Sequence, residues 1–168
     1  MTAVAESGDP VIVALGSNLG DSSALLERAF VSLAAWAAAG FRRSSVWKSA
    51  PVDCPPGSPD FLNAVCLWYP FPDDTPEKLL DRLQTLEREF GRRPKRIPNE
   101  PRVLDLDLVA FGRVRCSGSR LTLPHPRAHV RRFVLGPLAE LVPDWEWPGE
   151  RRTVSQLLAR LGSDSRTP

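Results

Sequence analysis

An α+β domain built on an antiparallel sheet is the fold class that the 168-residue sequence predicts, and three observations predict it. Short β-branched or aromatic runs alternate with amphipathic stretches in the order βαββαβ through residue 111, the ferredoxin-like signature. Beyond that core the pattern predicts an additional C-terminal strand and helices, giving three αβα layers. Of the 17 prolines, seven cluster at 51–59 and 94–101, where they mark two long loops and argue against a helical bundle. With 42% hydrophobic and 25% charged residues, the chain reads as one globular domain over 11–162, with tails at 1–10 and 163–168. The N-terminal tail is expected to be disordered.

Val11–Leu15 is a continuous β-branched run closed by Gly16-Ser17-Asn18, which predicts a buried strand ending in a turn. Asp21 or Ser22 can cap the helix that follows, with Leu25, Leu26, Ala29, Phe30, Leu33 and Trp36 at helical spacing until Gly40 stops it. Phe41 to Lys48 predicts a second strand, and Phe61 to Tyr69 a third that Pro70 and Pro72 end. Thr75-Pro76-Glu77 combines a capping hydroxyl, a first-position proline and an acidic first turn, and Leu79, Leu80, Leu83, Leu86 and Phe90 supply an apolar face. Gly91 ends that helix, and a basic loop leads to a fourth strand over Val103 to Phe111. A shorter strand is expected at Leu121–Leu123, and helices at 133–141 and 153–161.

Three cysteines, widely spaced and without a C-x-x-C pair, predict neither a disulfide framework nor a zinc site and suit the cytoplasm. No apolar run reaches the ~20 residues of a membrane span, and the first ten residues lack the basic start of a leader.

Chemistry concentrates in Leu104-Asp105-Leu106-Asp107-Leu108. On a strand the two aspartates share one face, about 7 Å apart, while the leucines point into the core. Like charges so close favour an intervening cation, and hard oxygen ligands suit Mg²⁺; a solvated strand face is the competing account. The net charge of +2 hides a division along the chain. Residues 88–132 hold 12 basic against 4 acidic side chains, a local +8 beside a remainder of −6. Arginines flanking an aspartate pair suit a polyphosphate with Mg²⁺. The segment lacks the interleaved aromatics of a nucleic-acid binder, although a non-catalytic nucleotide- or RNA-binding module remains the alternative. Asn63, inside an apolar strand, must find hydrogen-bond partners, whether structural or on a polar heterocycle. His125 lies at a proline-constrained strand end beside the basic segment.

Five segments occur in the order and spacing of a known family: Gly16-Ser17-Asn18-Leu19-Gly20-Asp21, Pro59-Asp60-Phe61-Leu62-Asn63-Ala64, Pro101-Arg102-Val103-Leu104-Asp105-Leu106-Asp107, Leu123-Pro124-His125-Pro126 and Arg131-Arg132-Phe133-Val134-Leu135. The chain resembles, over residues 11–147, the folate-pathway 6-hydroxymethyl-7,8-dihydropterin pyrophosphokinases. The resemblance implies transfer of pyrophosphate from ATP, as co-substrate, to the pterin hydroxymethyl group, leaving AMP. It implies that Asp105 and Asp107 hold two Mg²⁺ ions and that Arg92 and Arg102 are catalytic. It places Asn63 on the pterin edge, Phe61 and Phe133 on its faces, and backbone groups of Ser49 and Val52 around it. Gln84, Glu87, Leu108, Arg120, Thr122, His125 and Arg131 fall where the family contacts the nucleotide. The partners implied are small molecules, with no nucleic acid and no membrane, and the enzyme is expected to be a monomer. The two proline-marked loops match loops that close over the substrates. Three positions depart from the pattern: Pro94 replaces a second arginine, Asn99 a tryptophan and Pro126 an aromatic, with Arg93, Lys95 or Arg96 expected to substitute.

Overall fold

The computed structural model describes residues 8–163, which form a mixed structure of helices and antiparallel sheet. Strands β1 (Val11–Ser17), β2 (Ala39–Arg43), β3 (Trp47–Ser49), β4 (Phe61–Tyr69) and β5 (Asp105–Phe111) make the main sheet. Its order is β2-β4-β1-β5, β3 also pairs with β4, and every pairing is antiparallel. The central strand β1 is buried on both faces, which is why it reads as an unbroken apolar run. Val11, Val13 and Leu15 enter one core and Ile12 and Ala14 the other.

Helices α1 (Ser22–Ala34) and α2 (Pro76–Glu89) cover the first face through Leu26, Phe30, Leu33, Leu79, Leu83 and Leu86. Helices α3 (Arg132–Leu141) and α4 (Val154–Ser163) cover the second through Val134, Leu135, Leu138, Val154 and Leu157. Each such buried side chain contributes roughly 1.5–3 kcal/mol by leaving water. The caps act as the sequence predicts. Asp21 accepts from the Ala24 N–H at 3.1 Å, and Thr75 accepts from the Lys78 N–H at 3.3 Å. Gly91, at φ 96°, closes α2 with its N–H on the Arg88 carbonyl and the Arg92 N–H on the Glu87 carbonyl. That closure fixes the first residue of the basic loop.

Several expectations need correction. Helix α1 stops at Ala34, not Gly40; the Trp36 and Ala37 N–H groups turn back onto Leu33 and Ala34, and Gly40 lies inside β2 at φ 66°, where a Cβ would meet the Tyr69 ring at 2.7 Å. The expected strand 41–48 is two strands, broken at 44–46, because the Ser44 hydroxyl rather than a backbone carbonyl takes the Val65 N–H. The Ser45 N–H and hydroxyl meanwhile leave the sheet for Glu140. Strand β5 begins at Asp105, two residues late. The expected C-terminal strand, β7 (Thr122–Leu123), does not extend the main sheet but pairs with β6 (Cys116–Ser117) in a separate hairpin. Of the tail 1–10, residues 1–7 lie outside the described residues, as do 164–168; Asp9 accepts from Arg113 at 2.9 Å and Trp145 at 3.2 Å. No described helix is long and apolar enough to cross a membrane.

Candidate active site

The strand register lays out a site on the face of the sheet that α3 and α4 partly cover. Asn63 on β4, Gly16 on β1 and Asp105 on β5 are direct cross-strand partners, and the next row on that face is Val65, Ala14 and Asp107. Adjacent strands lie about 4.8 Å apart, so the Asn63 and Asp105 backbones stand on the order of 10 Å from one another with a glycine between them. The result is a furrow with an amide on one bank and a carboxylate on the other. Gly16 has no left-handed φ, and a Cβ there would sit 3.5 Å from Asn63 Oδ1 and 3.7 Å from the Phe61 ring, both ordinary contacts. The backbone does not require glycine here; its absent side chain supplies space.

The amide bank is rigid. Asn63 is buried, and its Nδ2 donates to Ser49 Oγ at 2.7 Å and to the Trp47 carbonyl at 3.4 Å, leaving Oδ1 toward the furrow. Phe61, two residues earlier, shares its face, and Phe133 rises from the first turn of α3 with the Arg131 guanidinium 5.6 Å over its ring.

The acidic bank is dense in charge. Asp105 accepts from Arg92 at 3.1 Å and from Arg102 at 2.7 Å. Burial first, and the Asp105 charge second, push the Asp107 carboxyl up to about 6, with Arg131, Arg102 and Arg92 opposing. Behind them Glu87, buried on α2, accepts the Leu106 N–H at 2.7 Å and pairs with Arg92. Its burial raises it to about 7 against those stabilising partners. Arg102 Nε is a buried donor with no hydrogen-bond partner. His125 Nδ1 accepts from the Arg127 N–H at 3.2 Å, and burial followed by the Arg131 and Arg127 charges lowers its pKa. The imidazole is therefore neutral, with Nε2–H free to donate.

Asn18 joins the loops that border the furrow. Its backbone N–H donates to the Arg102 carbonyl at 3.1 Å, and its Oδ1 accepts from the Arg102 N–H at 2.8 Å. Its Nδ2 reaches the Pro59 carbonyl at 3.1 Å, so the far ends of both proline-marked loops meet on one buried side chain. A second tie runs from Asn99 Nδ2 to the Asp53 carbonyl at 2.9 Å, while Arg102 donates to Asn99 Oδ1 at 3.2 Å. Asp53 and Asn99 sit at φ 52° and 54°, a region that Asp and Asn enter more readily than other side chains.

Comparison with known proteins decides the family. The sequence profile of the 7,8-dihydro-6-hydroxymethylpterin-pyrophosphokinase family matches residues 12–143. The chain belongs to this family. A 2-amino-4-hydroxy-6-hydroxymethyldihydropteridine pyrophosphokinase of Methylorubrum extorquens is 41% identical over 151 residues, covering 88% of this chain and 90% of that protein. The Synechocystis protein of the same name is 39% identical over 153 residues, covering 89% and 75%. The fold resembles the crystal structure of Plasmodium falciparum HPPK-DHPS solved with pterin and p-hydrobenzoate, with TM-score 0.66 at 10% identity over 96% of this chain. This chain spans 46% of that protein. The pyrophosphokinase is thus an ATP-dependent transferase of folate synthesis, and the non-catalytic alternative is not favoured.

In this pyrophosphokinase the structure gathers Asn63, Ser49, Asp105, Asp107, Arg92 and Arg102 around the furrow. Thr122 and His125 line an adjoining cavity of about 470 Å³ with His129 and Trp147. Leu108 is buried in the core under α1 and α2, so only its backbone can meet a ligand. Gln84 is exposed on α2, and Arg120 is turned to Asp81 at 2.6 Å; neither side chain enters the furrow. Val52 is exposed on its loop. Glu87 faces inward, its carboxylate spent on Leu106 and Arg92 rather than offered to a nucleotide. Gly16 and Asn18 carry roles that residue-type reasoning did not assign. The signal for Asn18 was an amide immediately after a buried strand, a costly place for a polar group without partners.

Proposed function

We propose that the furrow binds 6-hydroxymethyl-7,8-dihydropterin at its amide bank and the ATP triphosphate at its acidic bank, and that pyrophosphate passes between them. The carrying observation is the row Asn63, Gly16, Asp105, which sets a heterocycle-reading amide and a phosphate-side carboxylate across an empty strip of sheet. Asn63 Oδ1 would accept from the ring N–H and amino groups, its own Nδ2 being held by Ser49. Phe61 and Phe133 would stack on the ring, with Ser49 and Val52 backbone groups at its edge.

The donor set fits Mg²⁺. Asp105 and Asp107 are hard oxygen ligands on one strand face, and no group of three or more acidic, histidine or cysteine side chains suited to a metal occurs among the described residues. Phosphate oxygens and water would complete the shells of two ions, as Mg²⁺ prefers. When bound, the ions would offset triphosphate charge and lower the pKa of the pterin hydroxyl. The hydroxymethyl oxygen, its proton passing to water, would attack the β-phosphorus in line; the bond from that phosphorus to the α,β-bridging oxygen would break, and AMP would leave. Arg92 and Arg102 would turn from Asp105 to the charge developing on the transferred group, and the unpartnered Arg102 Nε suits a phosphate oxygen. Neutral His125 and cationic Arg131 would hold phosphates, with Thr122, Arg120, Gln84 and the Leu108 backbone toward the nucleoside. Glu87 would act by steadying Arg92.

Reading β2 and β3 as one interrupted strand makes the core ferredoxin-like, consistent with the strand order. We read the enzyme as a cytoplasmic monomer acting on small molecules. The test is AMP formation from ATP, expected to require both 6-hydroxymethyl-7,8-dihydropterin and Mg²⁺. Pterin-independent AMP, or ADP as product, would overturn the assignment.

A further inference from the structure

The indole of Trp47 lies directly on α3 at Gly136, where a Cβ would meet ring carbons at 2.4 Å. No other described glycine is so closely overlain. Gly136 is helical, where alanine would ordinarily be the better residue, so the cost of glycine is offset by the space it leaves for the ring. Trp47 Nε1 donates to Glu140 Oε1 at 2.6 Å, one helical turn beyond. The same carboxylate takes the Ser45 N–H at 2.8 Å and the Ser45 hydroxyl at 2.7 Å. One acidic side chain thus fills the break between β2 and β3 and fixes the indole. Trp47 is also the cross-strand partner of Asn63, whose Nδ2 is held by the Trp47 carbonyl and, two residues on, by the Ser49 hydroxyl. Loss of this anchoring would therefore let the β3 backbone shift, and with it both acceptors that orient the Asn63 amide. It would not touch Asp105, Asp107 or their arginines, which stand across the furrow.

We propose that Trp47, seated on Gly136 and clamped by Glu140, is a positioning residue that sets the Asn63 amide and so determines selectivity for the pterin. This rests on the reading of the furrow as the pterin site. Gly136→Ala should drive the indole from its seat and weaken binding of 6-hydroxymethylpterin more than tenfold, with ATP affinity changed less than threefold. Trp47→Phe, which drops the Glu140 bond without crowding α3, should weaken pterin binding about threefold to tenfold and leave ATP binding unchanged. The double variant Gly136→Ala with Trp47→Leu removes the clash and should recover folding if Gly136→Ala alone fails to fold, with pterin affinity still below that of the parent. Calorimetric titration with 6-hydroxymethylpterin, and separately with ATP and Mg²⁺, reads all three. Equal losses of pterin and ATP affinity, or parental pterin affinity in Trp47→Phe, would overturn the proposal. Failure of the parent itself to bind pterin would instead overturn the pterin-site reading.

Discussion

The two banks of the furrow are built from different materials. The amide bank is strand-borne: Asn63 and Ser49 lie in paired strands, and a buried amide is fixed by two neighbours on β3. The acidic bank keeps its aspartates on a strand, but its cations come from the ends of a basic loop, with Arg92 just past α2 and Arg102 just before β5. The contrast fits what the proposed reading asks of each half. A flat heterocycle is recognised once, by fixed donors and acceptors, whereas charge that develops during phosphoryl transfer must be met by cations that can change partners. Rigid strands suit the first task and loop-anchored arginines the second.

The contrast is broken most completely at the aspartates. Asp105→Ala and Asp107→Ala are each expected to abolish AMP formation, about a thousandfold loss or more, with far-UV circular dichroism unchanged. Substantial AMP formation by either variant at saturating Mg²⁺ would sink the metal assignment. Effects at the amide bank should be smaller and confined to one substrate. Asn63→Ala removes the hydrogen-bonding edge, and Gly16→Ala puts a methyl into the furrow without a backbone or steric penalty to the fold. Each should weaken pterin binding about 10–100-fold, the worth of one or two buried polar contacts, with ATP affinity little changed. Equal loss of both substrates in titrations would mean that the banks are not separate.

Asn18 lies between the banks and tests whether they are coupled. Asn18→Ala leaves the Arg102 N–H and the Pro59 carbonyl without their partners and should lower kcat roughly tenfold, since each stranded group costs about 1–3 kcal/mol. Trypsin should then cut the basic loop after Lys95 or Arg96 faster than in the parent. Unchanged kcat together with unchanged proteolysis would show that Asn18 does not hold the loops.

What the sequence made legible follows from the range of the interactions involved. Helix α2 was readable to its first residue because Thr75, Pro76 and Gly91 act within one turn of the backbone they terminate. The facing of Asp105 and Asp107 was equally local, since strand alternation sets it whatever the sheet order. The break between β2 and β3 was not readable, because the carboxylate that stabilises it lies 95 residues later in α3. The same applies to Asn18, whose partner Arg102 is 84 residues away. Asn63 falls between these cases: its burial showed that partners must exist, and only the register with β3 shows which. Glu87 was assigned to the nucleotide through resemblance, yet its burial and its bond to the Leu106 N–H direct it inward.

That inward position gives the smallest expected effect, read here on stability. Glu87 has its carboxyl raised to about 7, chiefly by burial, from the ordinary 4.5. Between those values the unfolded chain releases the proton and the folded chain keeps it, so the folded state binds more protons and stability must fall as pH rises. The contribution is fully present below the unfolded value and is lost as pH passes the folded one. Glu87→Gln, which carries no titrating proton, should flatten this part of the profile by about 1–3 kcal/mol at most. Urea midpoints of parent and variant at pH 5 and pH 7.5 measure it. A parent that gains stability across that window relative to Glu87→Gln would show that the ion pair with Arg92 outweighs burial, and that the acidic bank is held by charge rather than by a retained proton.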